Sequence, residues 1–162
     1  MCNYTKNNDP NYFDEYPDEG NCGSFALNVR EWYISDRDFD NTTIAYDMMV
    51  DDVDLDVILD YLTFKNVEQI LEDFSDEIRV LTNKKEVKDN EELIAYRIGI
   101  FNYEDIDYLE TDFHFKVKRN GNWMEKPGST DVKYCDLEEF DNWSNSSGDI
   151  YNGPIVFFAK KI

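Results

Sequence analysis

The sequence predicts an α+β domain in which helices come first and an antiparallel sheet follows. Three observations carry that expectation. Apolar residues recur at helical spacing from Cys22 and again between residues 48 and 77. Strand-like apolar runs crowd the second half of the chain. Between two of those runs stands Asn120-Gly121, which marks a two-residue type I′ hairpin turn and is the strongest local signal in the chain.

Residues 1–20 are polar, carry Pro10, Pro17 and Gly20, and read as an irregular lead-in. Phe25, Ala26, Val29, Trp32 and Tyr33 place a helix over about 22–33, its start marked by Asp18, Asn21 and Ser24. Residues 36–47 read as a capped surface loop. Asp36, Asp38, Asp40 and Asp47 fall at positions of a twelve-residue calcium loop, but Asn41 stands in place of its sixth-position Gly and an Asp closes it instead of a Glu. Neither a metal nor a cofactor is therefore expected. Two short helices follow within 48–77. Val50, Val53, Val57, Ile58, Tyr61 and Leu62 form one apolar stripe, and Val67, Ile70, Leu71 and Phe74 another. Facing outward are Asp51, Asp52, Asp54, Asp56 and Asp60, then Glu68, Glu72 and Asp73, with Asp76 and Glu77 beyond; Lys65 is the one base in this acidic two-helix insertion. Strands are expected at 78–81, 92–101, 112–118, 123–126 and 155–159, with an acidic, Ser/Asn-rich loop over 137–150.

The chain of 162 residues has the size of a single domain, 1–162, and can bury a core without disulfide or metal staples. With 41% hydrophobic and 15% aromatic residues it carries too much core material for a disordered acidic tail. Its 16 Lys+Arg against 36 Asp+Glu give a net charge of −20. That field repels nucleic acid and anionic membrane; it reads either as a solvated face that keeps the chain dissolved or as the match to a protein partner with a basic surface or groove. Cys2, Cys22 and Cys135 are odd in number with no CxxC pair, which argues against a disulfide scaffold or a zinc site. The N-terminal segment lacks the basic and apolar regions of a signal peptide, and no apolar run reaches membrane-spanning length. A cytoplasmic location follows as an expectation, under which the N-x-S/T matches at Asn3, Asn41, Asn142 and Asn145 carry no glycan.

The hairpin fixes the surroundings of His114. A two-residue turn at 120–121 pairs Arg119 with Asn122, so that Lys116 opposes Glu125 and His114 opposes Pro127. Side chains two apart in a strand share a face, so His114, Lys116, Trp123 and Glu125 point the same way. Glu125 lies diagonal to His114, where a carboxylate can accept the Nδ1–H and leave the other nitrogen to take a proton. Cys22 stands at a helix start, where the dipole favours a thiolate and first-turn N–H groups can serve an oxyanion. Each residue taken singly has an ordinary reading: a small buried hydrophobe, a structural histidine, a solvated strand charge. Together they supply a nucleophile, a base and an orienter.

Asn21-Cys22-Gly23-Ser24-Phe25-Ala26-Leu27 resembles the nucleophile segment of small papain-like proteins related to the NlpC/P60 cell-wall peptidases. Asp112-Phe113-His114-Phe115 and Gly121-Asn122-Trp123-Met124-Glu125-Lys126-Pro127-Gly128 resemble the histidine hairpin of one bacterial and phage branch of that family, with Leu93–Ile100 in the place of its central strand. The resemblance covers roughly 18–33 and 92–132. It implies a papain-like fold, an N-terminal helix bearing Cys22 packed on an antiparallel sheet, with Cys22 as nucleophile, His114 as base and residue 125 as third polar member. The branch carries His where this chain has Glu125; carboxylate orienters occur among papain-like enzymes. For the oxyanion side chain the candidates are Asn21 and Tyr16. The acidic insertion at 47–77 lies outside the resemblance.

Two functions follow as expectations. One is a cysteine hydrolase cleaving an amide or thioester bond through Cys22, His114 and Glu125. The other is a non-catalytic acidic inhibitor of the kind phages use against host defence, as anti-CRISPR proteins do, placing Asp51–Asp60 and Glu68–Glu77 in a basic nucleic-acid-binding groove and acting in the host cytoplasm.

Overall fold

The computed structural model describes residues 4–34, 39–135, 143–145 and 147–162. Cys2, Asn3, Asp36, Asp38 and Asn142, with half of the expected 137–150 loop, lie outside the described residues. The helices are α1 (Tyr12–Glu15), α2 (Cys22–Leu27), α3 (Asn41–Val50) and α4 (Leu55–Phe74). The strands are β1 (Ile78–Leu81), β2 (Glu91–Phe101), β3 (Glu110–Arg119), β4 (Asn122–Glu125), β5 (Lys133–Tyr134) and β6 (Val156–Lys161). They form one sheet in the order β1-β6-β2-β3-β4-β5, antiparallel at every pairing. The expected α+β class is met, and the terminal strand β6 lies inside the sheet between β1 and β2.

The hairpin forms as its residues dictate. Arg119 pairs with Asn122, and Asn120 and Gly121 both take positive φ, 54° and 81°, as a type I′ turn requires. Alternation along β2 and β3 sorts the sheet into two faces. Ile94, Tyr96, Phe115, Val117 and Phe158 pack with residues of α2 and α4 into the main core. On the other face, Ala95, Phe101, Trp143 and Tyr151 form a second cluster.

Three helical expectations are corrected. The first helix stops at Leu27 instead of about 33, because Asn28 turns left-handed at φ 58° and Val29 bridges to Lys6. The lead-in is accordingly not irregular throughout: it holds α1, whose Phe13 is buried. Residues 41–47 belong to α3, not to a loop, because the Asp40 carboxylate caps the backbone N–H groups of Thr42 and Thr43. Finally, 55–74 is one helix rather than two. At its middle, buried Asn66 donates to the Leu62 carbonyl and exchanges hydrogen bonds with Asn41, so the polar side chain is satisfied inside the helix and also ties α3 to α4.

Most of the acidic insertion faces outward as expected: Asp51, Asp52, Asp54, Asp56, Asp60, Glu68, Glu72, Asp76 and Glu77 are exposed. Asp73 is the exception. It is buried and accepts hydrogen bonds from the Tyr33 hydroxyl and the Gln69 amide, both at 3.1 Å. The apolar stripe needs correction too: Val50, Val57 and Tyr61 are exposed, while Ile58 and Leu62 are buried. Among the described residues, no helix is long and apolar enough to cross a membrane.

Candidate active site

Cys22 is the first residue of α2. Asn21 caps that helix through a reciprocal pair with Ser24, the Asn21 Oδ1 accepting from Ser24 N–H and the Ser24 Oγ accepting from Asn21 N–H. Asn21 also grips Tyr33, accepting from its N–H and donating Nδ2 to its carbonyl. The loop ahead of Cys22 is thus held against the chain that follows the helix. Gly23 permits this: a Cβ there would lie 2.8 Å from that of Tyr33.

His114 is buried on β3, on the sheet face opposite Phe113 and Phe115. Its Nε2 lies 3.3 Å from Glu125 Oε1. The pairing of His114 with Glu125 is as the hairpin register implied, but through Nε2 instead of Nδ1. Tyr151 stacks on the ring at a centroid distance of 5.6 Å, and Trp143 meets it edge-on at 5.9 Å. These contacts fix the imidazole plane.

The segment bearing Cys22 packs into the core of the other sheet face, so thiol and imidazole can approach each other only around an edge. The structure provides one. β4 pairs with β3 from Val117 to Arg119, and upstream of that β3 has no strand neighbour on this side among the described residues. There the Cys22 thiol donates to the Phe113 carbonyl, Sγ to O 3.9 Å, one residue before His114, and stands close enough to the imidazole to act on its charge. The buried Lys126, one residue past β4, donates to the carbonyls of Gly20 and Gly128. It thereby clips the loop before Cys22 to the end of the histidine hairpin.

The electrostatics follow from this packing. Burial disfavours the imidazolium, but the hydrogen bonds and negative charges of Cys22 and Glu125 outweigh it and raise the His114 pKa to about 9. Burial likewise works against the Glu125 carboxylate, yet the hydrogen bond and charge of His114, the Lys116 charge and the Cys135 thiol hold its pKa down to about 2. Lys116 is itself buried, its ammonium 3.5 Å from Glu125 Oε2 and 4.5 Å from the centre of the Trp143 ring. Burial and the nearby Glu125 charge push the Cys135 thiol up to about 12, which keeps it protonated beside that carboxylate.

Cys22 and His114 open into a cavity of about 510 Å³ walled by Trp32, Tyr33, Ile34, Asp112, Tyr151 and the Pro127–Thr130 turn, among others. Asn21 lies in its wall. Tyr16 does not line it: it is half exposed and packs at a tilt against the Tyr12 ring. Among the described residues no group of His, Cys, Asp and Glu is arranged to hold a metal ion. Sequence reasoning missed Asp112, Lys126, Cys135 and Tyr151. Asp112 was within reach, since it shares a strand face with His114 two residues on; Tyr151 carried no local signal.

A thiol beside an imidazole that is held by a buried carboxylate is a constellation suited to nucleophilic acyl transfer. Comparison with known proteins yields no match: no family model, no curated protein and no solved structure is similar to the chain.

Proposed function

We propose that this protein is a papain-like cysteine hydrolase that cleaves an amide or thioester bond. The observation that carries the reading is the position of His114, its Nε2 3.3 Å from Glu125 Oε1 and its ring beside Cys22 at the wall of a cavity. The Cys22 thiolate adds to the substrate carbonyl carbon, and the carbonyl π pair moves onto oxygen. Collapse of that adduct breaks the bond to the leaving group, which takes the proton of the His114 imidazolium as it departs. Water then gives a proton to neutral His114 while its oxygen bonds to the acyl carbon. Collapse of the second adduct breaks the C–S bond, releases the acid and restores the thiolate beside imidazolium. Glu125 stays ionised throughout and holds the ring. Screening a peptide thioester and amide library with the intact chain tests this: hydrolysis lost in both Cys22→Ala and His114→Ala supports it, and hydrolysis surviving Cys22→Ala refutes it.

The outer surface of α3 and α4 favours a second role. Exposed Val57, Tyr61 and Phe64 stand among exposed Asp54, Asp56, Asp60 and Glu68. An apolar stripe ringed by acids suits a protein partner with a basic groove. Binding to such a partner would survive Cys22→Ala and weaken steeply with salt; loss of binding in Cys22→Ala would tie it to the cavity instead.

A further inference from the structure

The cavity's charge inventory says what kind of acyl group belongs there. Among the described residues, no Lys or Arg lines it; its charged groups are Asp112 and the Cys22–His114 pair. With one proton shared between them the Cys22–His114 pair is neutral, which leaves Asp112 as the uncompensated charge among the described lining residues. That carboxylate is exposed and held in place. Its Oδ2 accepts from the Tyr151 hydroxyl at 2.9 Å, and its Oδ1 accepts from the Phe113 N–H at 2.8 Å. A carboxylate has about four acceptor positions, so capacity remains on both oxygens. Asp112 also sits two residues before His114 on the same strand face, which places it about 7 Å along the strand from the base. Tyr151 connects the two, its hydroxyl on Asp112 and its ring stacked on His114.

Trp32 and Ile34 provide an apolar wall of the same cavity, exposed at 47% and 52%. The Trp32 indole is anchored by its Nε1–H, which donates to the Asp18 carbonyl at 3.3 Å. An aliphatic stem or a guanidinium plane can lie along such a wall. The net charge of −20 adds a long-range field of the same sign as Asp112.

Building on the hydrolase reading, we propose that the substrate is a basic peptide or protein segment, with a Lys or Arg side chain seated at Asp112 beside the bond that Cys22 attacks. The test uses three matched dipeptidyl chloromethyl ketones, Gly-Arg, Gly-norleucine and Gly-Glu, with the full chain. Each labels by one step: the Cys22 sulfur displaces chloride and forms a thioether, read as a mass increase on the Cys22 peptide. The expected labelling rates fall in the order Arg, norleucine, Glu, with tenfold or more between Arg and Glu at 20 mM salt, a gap that narrows at 500 mM. Asp112→Asn should shrink that gap at low salt. Equal rates for Arg and Glu, or faster Glu, with Cys22 still labelled well above the rate of free glutathione, would overturn the basic-substrate proposal and leave the hydrolase reading standing. Labelling of Cys22 no faster than glutathione by all three would overturn both.

Discussion

The Glu125 carboxylate meets Nε2 of His114 at 3.3 Å, which leaves Nδ1 as the ring nitrogen not engaged by that carboxylate. The two residues stand on adjacent strands of one hairpin, so the tight turn at Asn120-Gly121 sets the geometry of the pair. If Glu125 holds the proton on that ring, Glu125→Gln should move the His114 titration from about 9 down toward the ordinary value of 6.5. His114 is the chain's one histidine, so its ring resonances in a ¹H–¹³C spectrum report the change directly. A titration that stays near 9 in the variant would show that Glu125 does not hold the imidazolium.

The same pair makes stability depend on pH at both ends. His114 has a raised folded pKa, so its contribution is complete below about 6.5 and is lost as pH rises through about 9. Glu125 has a lowered one, so its contribution is complete above 4.5 and is lost as pH falls toward about 2. Thermal melts from pH 3 to 10 should therefore show a decline in Tm from pH 7 to 9 in the wild type. That decline should flatten in His114→Gln; an identical decline in both would remove His114 as its cause.

Lys126 joins two parts of the site that are far apart in sequence. Its ammonium spans the Gly20 and Gly128 carbonyls, and burial lowers its pKa. Lys126→Met keeps the volume and removes two charge-assisted hydrogen bonds, at a cost of about 3 kcal/mol. The accompanying loss of register between loop and hairpin should slow Cys22 alkylation in protein that is still folded. Denaturant titration checks the first effect and alkylation at neutral pH the second.

Gly23 tests the tight packing behind Cys22. A methyl group there meets the Cβ and ring of Tyr33, which is buried and hydrogen-bonded to Asp73. Overpacking of this kind costs roughly 1–3 kcal/mol. Gly23→Ala should lower the denaturation midpoint accordingly, and no change would mean that Tyr33 moves aside freely.

The parts legible in the sequence were those set by local chemistry. Asn120-Gly121 permitted one turn, and that turn placed Lys116 and Glu125 on the face of His114. Five strands read correctly to within two residues because their apolar runs alternate or are bounded by breakers; the two-residue β5, Lys133–Tyr134, carries no such run and was not expected. What misled was information carried by distant contacts. Nothing near Asn28 announces that it will turn left-handed so that Val29 can meet Lys6. The unbroken α4 depends on Asn66 finding Asn41, and the inward turn of Asp73 depends on Tyr33. Tyr151 arrives at the site from beyond the hairpin, and only the folded sheet brings it to His114.

The central claim is that Cys22 and His114 form a thiolate–imidazolium pair. The rate of Cys22 alkylation by iodoacetamide, followed from pH 4 to 9 in wild type and in His114→Ala, tests it most directly. The account expects a fast reaction that persists well below the free-thiol value of roughly 8.5 and is lost in the variant. A slow reaction that rises along an ordinary thiol titration, unchanged by His114→Ala, would contradict it and leave the three residues as scaffold.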